Sequence, residues 1–244
     1  MSKNPATRIE QIQLYLRYRR QRQRMYALYQ KYSQFTMIPR GDFCLNLQLA
    51  QTVRSIPGAV VECGVWRGGM TAGLAEVLGP ERSYVLCDSF QGLPDAQPID
   101  GQAALEYQRD PTHPEYHDNC TAPEEAARSA MALSPATNVQ FVAGWFEATV
   151  PHLHIDDPIA LLRLDGDWYE STMTCLEHLY PRVAPGGLII IDDYHTWDGC
   201  TRAVHDYLSR HSLPARISQW ADRICYIRIP ETHVPLKAGP PGRE

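Results

Sequence analysis

Four aspartates, Asp165, Asp167, Asp192 and Asp193, follow two short apolar runs, residues 161–164 and 187–191. Runs of this kind suit strands buried on both faces of a parallel sheet. In an open α/β sheet, ligands bind beyond the carboxyl ends of the strands, and neighbouring strands lie about 4.8 Å apart. If the two runs are neighbours, Asp165 and the Asp192-Asp193 pair face one point. Carboxylates that close repel one another unless compensated. A hard divalent cation is therefore expected between them. Oxygen-only ligands suit Mg²⁺, with Ca²⁺ or Mn²⁺ as alternatives.

A second constellation stands earlier in the chain. Residues 59–63 read as a strand that runs into Glu62-Cys63-Gly64-Val65-Trp66-Arg67-Gly68-Gly69. Glycines at a strand-to-helix turn let backbone approach a ligand closely. The spacing is E-x-G-x-x-x-G rather than the dinucleotide G-x-G-x-x-G. Asp88 ends the next strand, 26 residues after Glu62, where an acid can accept hydrogen bonds from ribose hydroxyls. An acidic Glu62 beside the turn disfavours a diphosphate and favours a cationic ligand. S-adenosylmethionine joins a ribose to a sulfonium and an ammonium, so it fits better than NAD.

The acid after each of these strands, with E-x-G-x-x-x-G, resembles the class I methyltransferases. More closely, ECGVWRGG, DSFQGLP, GWF, LRLDGDWYEST and PGGLIIIDDY resemble the macrocin O-methyltransferase family, which includes sugar O-methyltransferases of the mycinamicin and novobiocin type. The similarity covers about residues 40–230. It implies an S-adenosylmethionine- and Mg²⁺-dependent methyl transfer to a hydroxyl of a sugar or polyhydroxylated natural product. Carried over by motif, Glu62, Gly64, Trp66, Gly68, Asp88, Ser89, Gly144 and Phe146 form the cofactor pocket, and Asp165, Asp192 and Asp193 hold the metal. A hydroxyl is a poor nucleophile at neutral pH, so a base must take its proton. Asp165, Asp167 and His195 are the candidates. Trp145, Trp168 and Trp197 are candidates for stacking on adenine or a sugar face, with buried packing as their other role. A catechol-like phenol is an alternative acceptor, since the same metal site would serve it.

These residues need an α/β frame to position them. The chain reads as a Rossmann-like, mostly parallel seven-stranded sheet with helices on both faces, a C-terminal antiparallel hairpin and an N-terminal helical arm. The expected divisions are an arm over 1–57, a methyltransferase domain over 58–232 and a flexible tail over 233–244. Residues 7–34 read as a helix, with Tyr15, Tyr18, Arg22, Met25, Tyr29 and Tyr32 recurring at steps of three and four. That seam would pack on the body or on a second subunit, giving a homodimer or larger. Residues 39–42 read as a turn and 43–54 as a helix. Residues 91–122 show no period and read as a long irregular lid over the acceptor. Residues 70–78, 123–133 and 199–211 read as helices, and Pro185-Gly186-Gly187 reads as the stop of a helix that carries Met173, Leu176, Leu179 and Val183.

Composition narrows the class. A chain of 244 residues, 44% hydrophobic and 21% charged, is ordinary for one globular domain. It holds no apolar run of the roughly 18 residues a membrane span requires, and its first residues lack the apolar core of a secretory leader. Seven cysteines without a CxxC pair fit a reducing cytoplasm. Cys63, Cys87 and Cys225 lie in apolar runs and are expected to be buried thiols. Net charge is −5, yet residues 1–40 hold nine Lys/Arg against Glu10 alone. A basic arm thus precedes an acidic body. The arm raises the alternative of nucleic-acid binding, which an acidic body argues against.

Overall fold

The structure is a computed structural model that describes residues 8–112 and 116–231. Seven strands form a single sheet: β1 (Ala59–Cys63), β2 (Ser83–Asp88), β3 (Asn138–Ala143), β4 (Ile159–Leu164), β5 (Val183–Ile191), β6 (Ile217–Trp220) and β7 (Ile224–Arg228). Their order is β3-β2-β1-β4-β5-β7-β6. The first five run parallel, while β7 lies antiparallel to both β5 and β6. Every residue of β1 and β4 is buried. Crossover helices cover both faces, so these strands carry unbroken apolar runs rather than an alternating pattern.

The helices are α1 (Arg8–Tyr32), α2 (Arg40–Ala50), α3 (Gly69–Leu78), α4 (Gln102–Arg109), α5 (Glu124–Ala132), α6 (Phe146–Thr149), α7 (Tyr169–Leu179) and α8 (Asp198–Arg210). Leu47, Leu74 and Met131 from α2, α3 and α5 pack with Val60, Leu161 and Leu188 on one face. Leu176 and Val204 from α7 and α8 pack with Leu162, Ile189 and Ile191 on the other. Fully burying one such aliphatic side chain is worth about 1.5–3 kcal/mol. Cys63, Cys87 and Cys225 are buried in the second layer, as their apolar surroundings in sequence implied.

Four local expectations change in the folded chain. The helix after β4 ends at Leu179, and Pro185-Gly186-Gly187 lies inside β5. There the β4–β5 register slips, with Ile159 opposite Val183 but Leu161 opposite Leu188. The strand closes up at Gly187, where a side chain would stand 2.7 Å from the Ala184 carbonyl oxygen. Pro39 precedes α2 and residues 40–42 form its first turn rather than a separate turn. The 91–122 segment contains a 3₁₀ turn (Pro98–Asp100) and α4. Only Ala104 of α4 is buried, which is why its sequence carries no visible period.

The fourth concerns the tyrosine seam, whose second half packs on the body, one of its two expected partners, while its first half does not. Met25 and Tyr32 are buried against the body, joined there by Leu28, and Tyr29 packs edge-on to Phe43. Lys31 Nζ (2.6 Å) and Tyr32 Oη (2.9 Å) both donate to Glu76 of α3. The first half of the seam differs: Arg22 and Tyr15 are exposed, Tyr15 at 62%. The side chain of Tyr18 and the 233–244 segment lie outside the described residues.

Candidate active site

The carboxyl ends of four parallel strands finish level with one another. Cys87 pairs with Cys63, Cys63 with Leu164, and Leu164 with Ile191. The next residues along these strands are Asp88, Gly64, Asp165 and Asp192. They open into a cavity of about 1060 Å³, at the upper end of the size range of small-molecule sites.

Asp165, Asp192 and Asp193 each turn one carboxylate oxygen to within 4.8 Å of the others. Asp165 and Asp192 are a quarter exposed, from the cavity side. The set is all hard oxygen, held on strand ends, and a divalent ion of the Mg²⁺ type fits it.

Sequence reasoning missed the residue that binds this cluster together. Arg163, buried completely in β4, sends Nη1 to Glu62 Oε1 (2.7 Å) and to Asp165 Oδ2 (2.6 Å), and Nη2 to Asp192. Three carboxylates from β1, β4 and β5 thus share one guanidinium, and the carboxylates are not uncompensated. The signal was present: an arginine inside an apolar run must be paired if both faces of the strand are covered. Glu62 also accepts a hydrogen bond from Thr71 of α3.

Burial raises the pKa of every acid in this group. Asp192 is pushed up to about 7 by burial, with Arg163 opposing the rise and Asp165 adding to it. Asp167 is pushed up to about 8 by burial and by the charge of Asp165, while its hydrogen bond from Trp197 pulls the other way. Asp165, Asp193 and Glu62 are raised as well, burial being the largest cause for each.

Asp167 sits on left-handed backbone (φ 59°), a strained conformation for a residue with a side chain. Its N–H donates to Asp193 Oδ2 (3.0 Å), and its Oδ1 accepts from Trp197 Nε1 (2.8 Å). Trp197 lines the cavity and packs edge-on against Trp168, with ring centres 5.1 Å apart. Trp168 is buried and donates to the Pro94 carbonyl, so packing is its role. His195 lines the cavity but is exposed, and its Nε2 pairs with Gln219 at 2.9 Å.

Glu62, Gly64, Trp66, Asp88, Ser89 and Phe146 all line the same cavity, together with Trp145. Gly68 and Gly144 are not on the lining. Asp88 Oδ2 accepts from Val65 N (2.7 Å) and Trp66 N (2.9 Å), and its Oδ1 accepts from Phe90 N (2.7 Å). The glycine after β1 has a packing reason as well. A side chain at Gly64 would lie 1.7 Å from the Asp165 carbonyl oxygen, and φ there is +88°. Ser89 Oγ donates to the Gly92 carbonyl, which shapes the turn after β2.

Three walls came from segments with no readable motif. One is α4 with Glu106 and Tyr107. Another is the link between α1 and α2, with Phe35 and Met37. The third is the turn between β6 and β7, where Arg223 clamps Asp42 of α2 through two hydrogen bonds of 2.5 and 2.7 Å. Described residues of 91–122 are tied down: Asp100 accepts from Tyr169 N (2.7 Å), and Asn119 donates to the Leu93 carbonyl (2.8 Å).

Comparison with known proteins agrees with this arrangement. The chain is 37% identical over 188 residues to the 8-demethyl-8-(2,3-dimethoxy-alpha-L-rhamnosyl)-tetracenomycin-C 4'-O-methyltransferase of Streptomyces olivaceus, covering 73% of this chain and 67% of that one. It is 36% identical over 174 residues to the mycinamicin III 3''-O-methyltransferase of Micromonospora griseorubida, covering 66% of this chain and 65% of that one. The chain thus spans about two thirds of the length of these relatives. The solved structure of the O-methyltransferase NovP superposes with a TM-score of 0.67 at 30% identity, covering 80% of this chain and 82% of that one. The family model of the macrocin-O-methyltransferases (TylF) matches residues 6–228, and so takes in α1, which the motif resemblance from about residue 40 leaves out. The four level strand ends, their acids and this match place the chain in the macrocin-O-methyltransferase family, a family of S-adenosylmethionine-dependent methyltransferases.

Proposed function

We propose that this chain transfers a methyl group from S-adenosylmethionine to a hydroxyl of a sugar or polyhydroxylated natural product, with Mg²⁺ at the aspartate cluster. The observation that carries the proposal is the convergence of Asp165, Asp192 and Asp193 on one cavity that Glu62, Gly64 and Asp88 also line. The two relatives named above are sugar-type O-methyltransferases by name, which supports the acceptor class.

In this reading, Glu62, Gly64, Trp66, Asp88, Ser89 and Phe146 hold the methyl donor, with Gly68 and Gly144 shaping the backbone behind them. Asp88 keeps at most one acceptor site for a ribose hydroxyl beyond its three backbone bonds. The acidic wall suits a donor bearing a sulfonium and an ammonium. Asp165, Asp192 and Asp193 hold the metal, which when bound would orient acceptor oxygens and lower the pKa of a hydroxyl. Asp167 is the base: it lines the cavity next to this cluster, on a backbone turn held by Asp193. Trp197 fixes its carboxylate through Oδ1, leaving Oδ2 for the hydroxyl proton. His195, held by Gln219, remains the rival base, and Asp165 serves the metal instead. Tyr107 and Trp197 give the acceptor an aromatic wall. Exposed Tyr15 and Leu16 on α1 offer a surface for a second copy of the chain.

The test is methyl transfer assayed with a panel of deoxysugar-bearing and catechol acceptors. EDTA is expected to abolish turnover, Mg²⁺ to restore it and Zn²⁺ to do so poorly, since the ligands are hard oxygens. Asp192→Asn is expected to fold and to lose at least about 100-fold in turnover, in line with removal of a charge that positions reacting groups. Full turnover in EDTA, with no metal found by elemental analysis, defeats the metal assignment.

A further inference from the structure

The cavity, the thiols of the second core layer and the exposed half of α1 all leave unexplained why an arginine is sealed beneath the aspartates. Arg163 stands in the middle of the sheet, with Glu62 beside it on β1 and Ile190 beside it on β5. It is fully buried, as is Glu62 at 1% exposure. A buried charge is retained only when closely paired, and this one is paired three times. Two of its partners, Asp165 and Asp192, are the proposed metal ligands, and the third, Glu62, is not among them.

We propose that Arg163 is the positioning residue of the metal site, which rests on the metal reading above. Its fork holds Asp165 Oδ2 and Asp192 Oδ1, and so leaves the second oxygen of each carboxylate for an ion shared with Asp193. The planar guanidinium is itself aimed by Glu62, which shares Nη1 with Asp165, and Glu62 is aimed by Thr71. A chain Thr71–Glu62–Arg163–Asp165/Asp192 therefore runs from α3 through three strands to the metal. Only a fork can hold two carboxylates apart at a fixed angle; an ammonium is a point charge on a flexible stem. Outer partners of this kind orient ligands, and their loss typically costs about 10- to 100-fold in metal affinity.

The opposite outcome has its own physical logic. A cation so close to the ligands also competes with the metal for their charge, so a mere counter-ion would weaken metal binding, and its loss would strengthen it. The sign of the change separates the two. Mn²⁺ and Mg²⁺ binding to the full chain, without donor or acceptor, is measured by calorimetry alongside thermal melting. Arg163→Lys keeps the charge and is expected to bind metal at least tenfold more weakly. Glu62→Gln alters no ligand, yet it is expected to weaken metal binding as well, because the guanidinium loses its aim. Thr71→Val, one step further along the chain, is expected to act in the same direction with a smaller effect, and it serves as the readout if Arg163→Lys does not fold. Unchanged or tighter metal binding in the folded variants overturns the role of Arg163. A parent chain that binds neither ion overturns the metal reading itself.

Discussion

Asp88 illustrates how much one carboxylate is asked to do. It follows β2 and accepts three backbone N–H bonds, from Val65, Trp66 and Phe90, that set the turns after β1 and β2. Burial nonetheless raises its pKa, because desolvation outweighs those bonds. If the same group also accepts from ribose hydroxyls, Asp88→Ala is expected to weaken S-adenosylhomocysteine binding by about 1–3 kcal/mol in calorimetry. Unchanged affinity defeats the ribose role, and the melting curve of the variant reports separately on the lost backbone bonds. Asp167 carries the second residue-scale expectation. Asp167→Asn keeps the Trp197 contact and the left-handed turn but cannot take a proton, so turnover is expected to fall about 10²- to 10⁴-fold with little change in donor affinity. If His195→Gln shows the larger loss of turnover, the base is His195.

Among the elements, α4 and the segment around it do the work that sequence reading gave to an irregular lid. The segment is fastened to the helix it covers by Asp100, which is 3% exposed and accepts from both Tyr169 N and Gln97 N at 2.7 Å. Asp100→Ala leaves the Tyr169 N–H unpaired at the start of α7, a loss of about 1–3 kcal/mol by thermal or denaturant unfolding. The wall bearing Glu106 and Tyr107 then loosens on the acceptor side alone. Acceptor KM is expected to rise severalfold while donor affinity stays within about twofold, the split that a lid over the acceptor predicts. An equal loss of both affinities places α4 over the donor instead. The β6–β7 turn closes the same mouth from the far side through Arg223 and Asp42.

At the scale of the whole molecule, a sheet that ends in many acids stores charge repulsion. A carboxyl in the unfolded chain titrates near 4, whereas Asp192 is held near 7 and Asp167 near 8 in the folded chain. Between those values the folded chain binds more protons than the unfolded one. Stability from these groups is therefore present at low pH and lost as pH rises through 7 to 8. The melting temperature of the metal-free chain is expected to fall between about pH 4 and 8 and to level off above, and saturating Mg²⁺ is expected to flatten the fall by stabilising the ionised acids. A metal-free profile that rises with pH over this range contradicts the raised values. The exposed half of α1 belongs to this scale too. Removal of residues 1–20 is expected to lower the mass seen by light scattering while leaving the Lys31 and Tyr32 contacts to Glu76 intact. A full-length chain that is already monomeric removes the case for a second copy on Tyr15 and Leu16.

The sequence by itself determined the strands and what stands at their ends. Short unbroken apolar runs suit strands buried on both faces, so Asp165, Asp192 and Asp193 were legible as facing one point on the condition that their strands pair, which the sheet order meets. Its motifs also pointed to the family that the match over residues 6–228 then established. The tertiary structure decided three things that no local pattern encodes. The pairing of Arg163 with Glu62 spans 101 positions, so nothing near the arginine in sequence marked its partner. The helix α4 fully buries only Ala104, and it docks through Tyr107 against Trp197 and through Gln108, which donates to Asn119. Pro185-Gly186-Gly187 became a register slip inside β5, because the neighbouring strand supplied hydrogen bonds that outweigh the usual tendency of proline and glycine to end an element. In each case a distant partner settled what the local sequence left open, since buried charge and backbone polarity are satisfied wherever the fold places their partners.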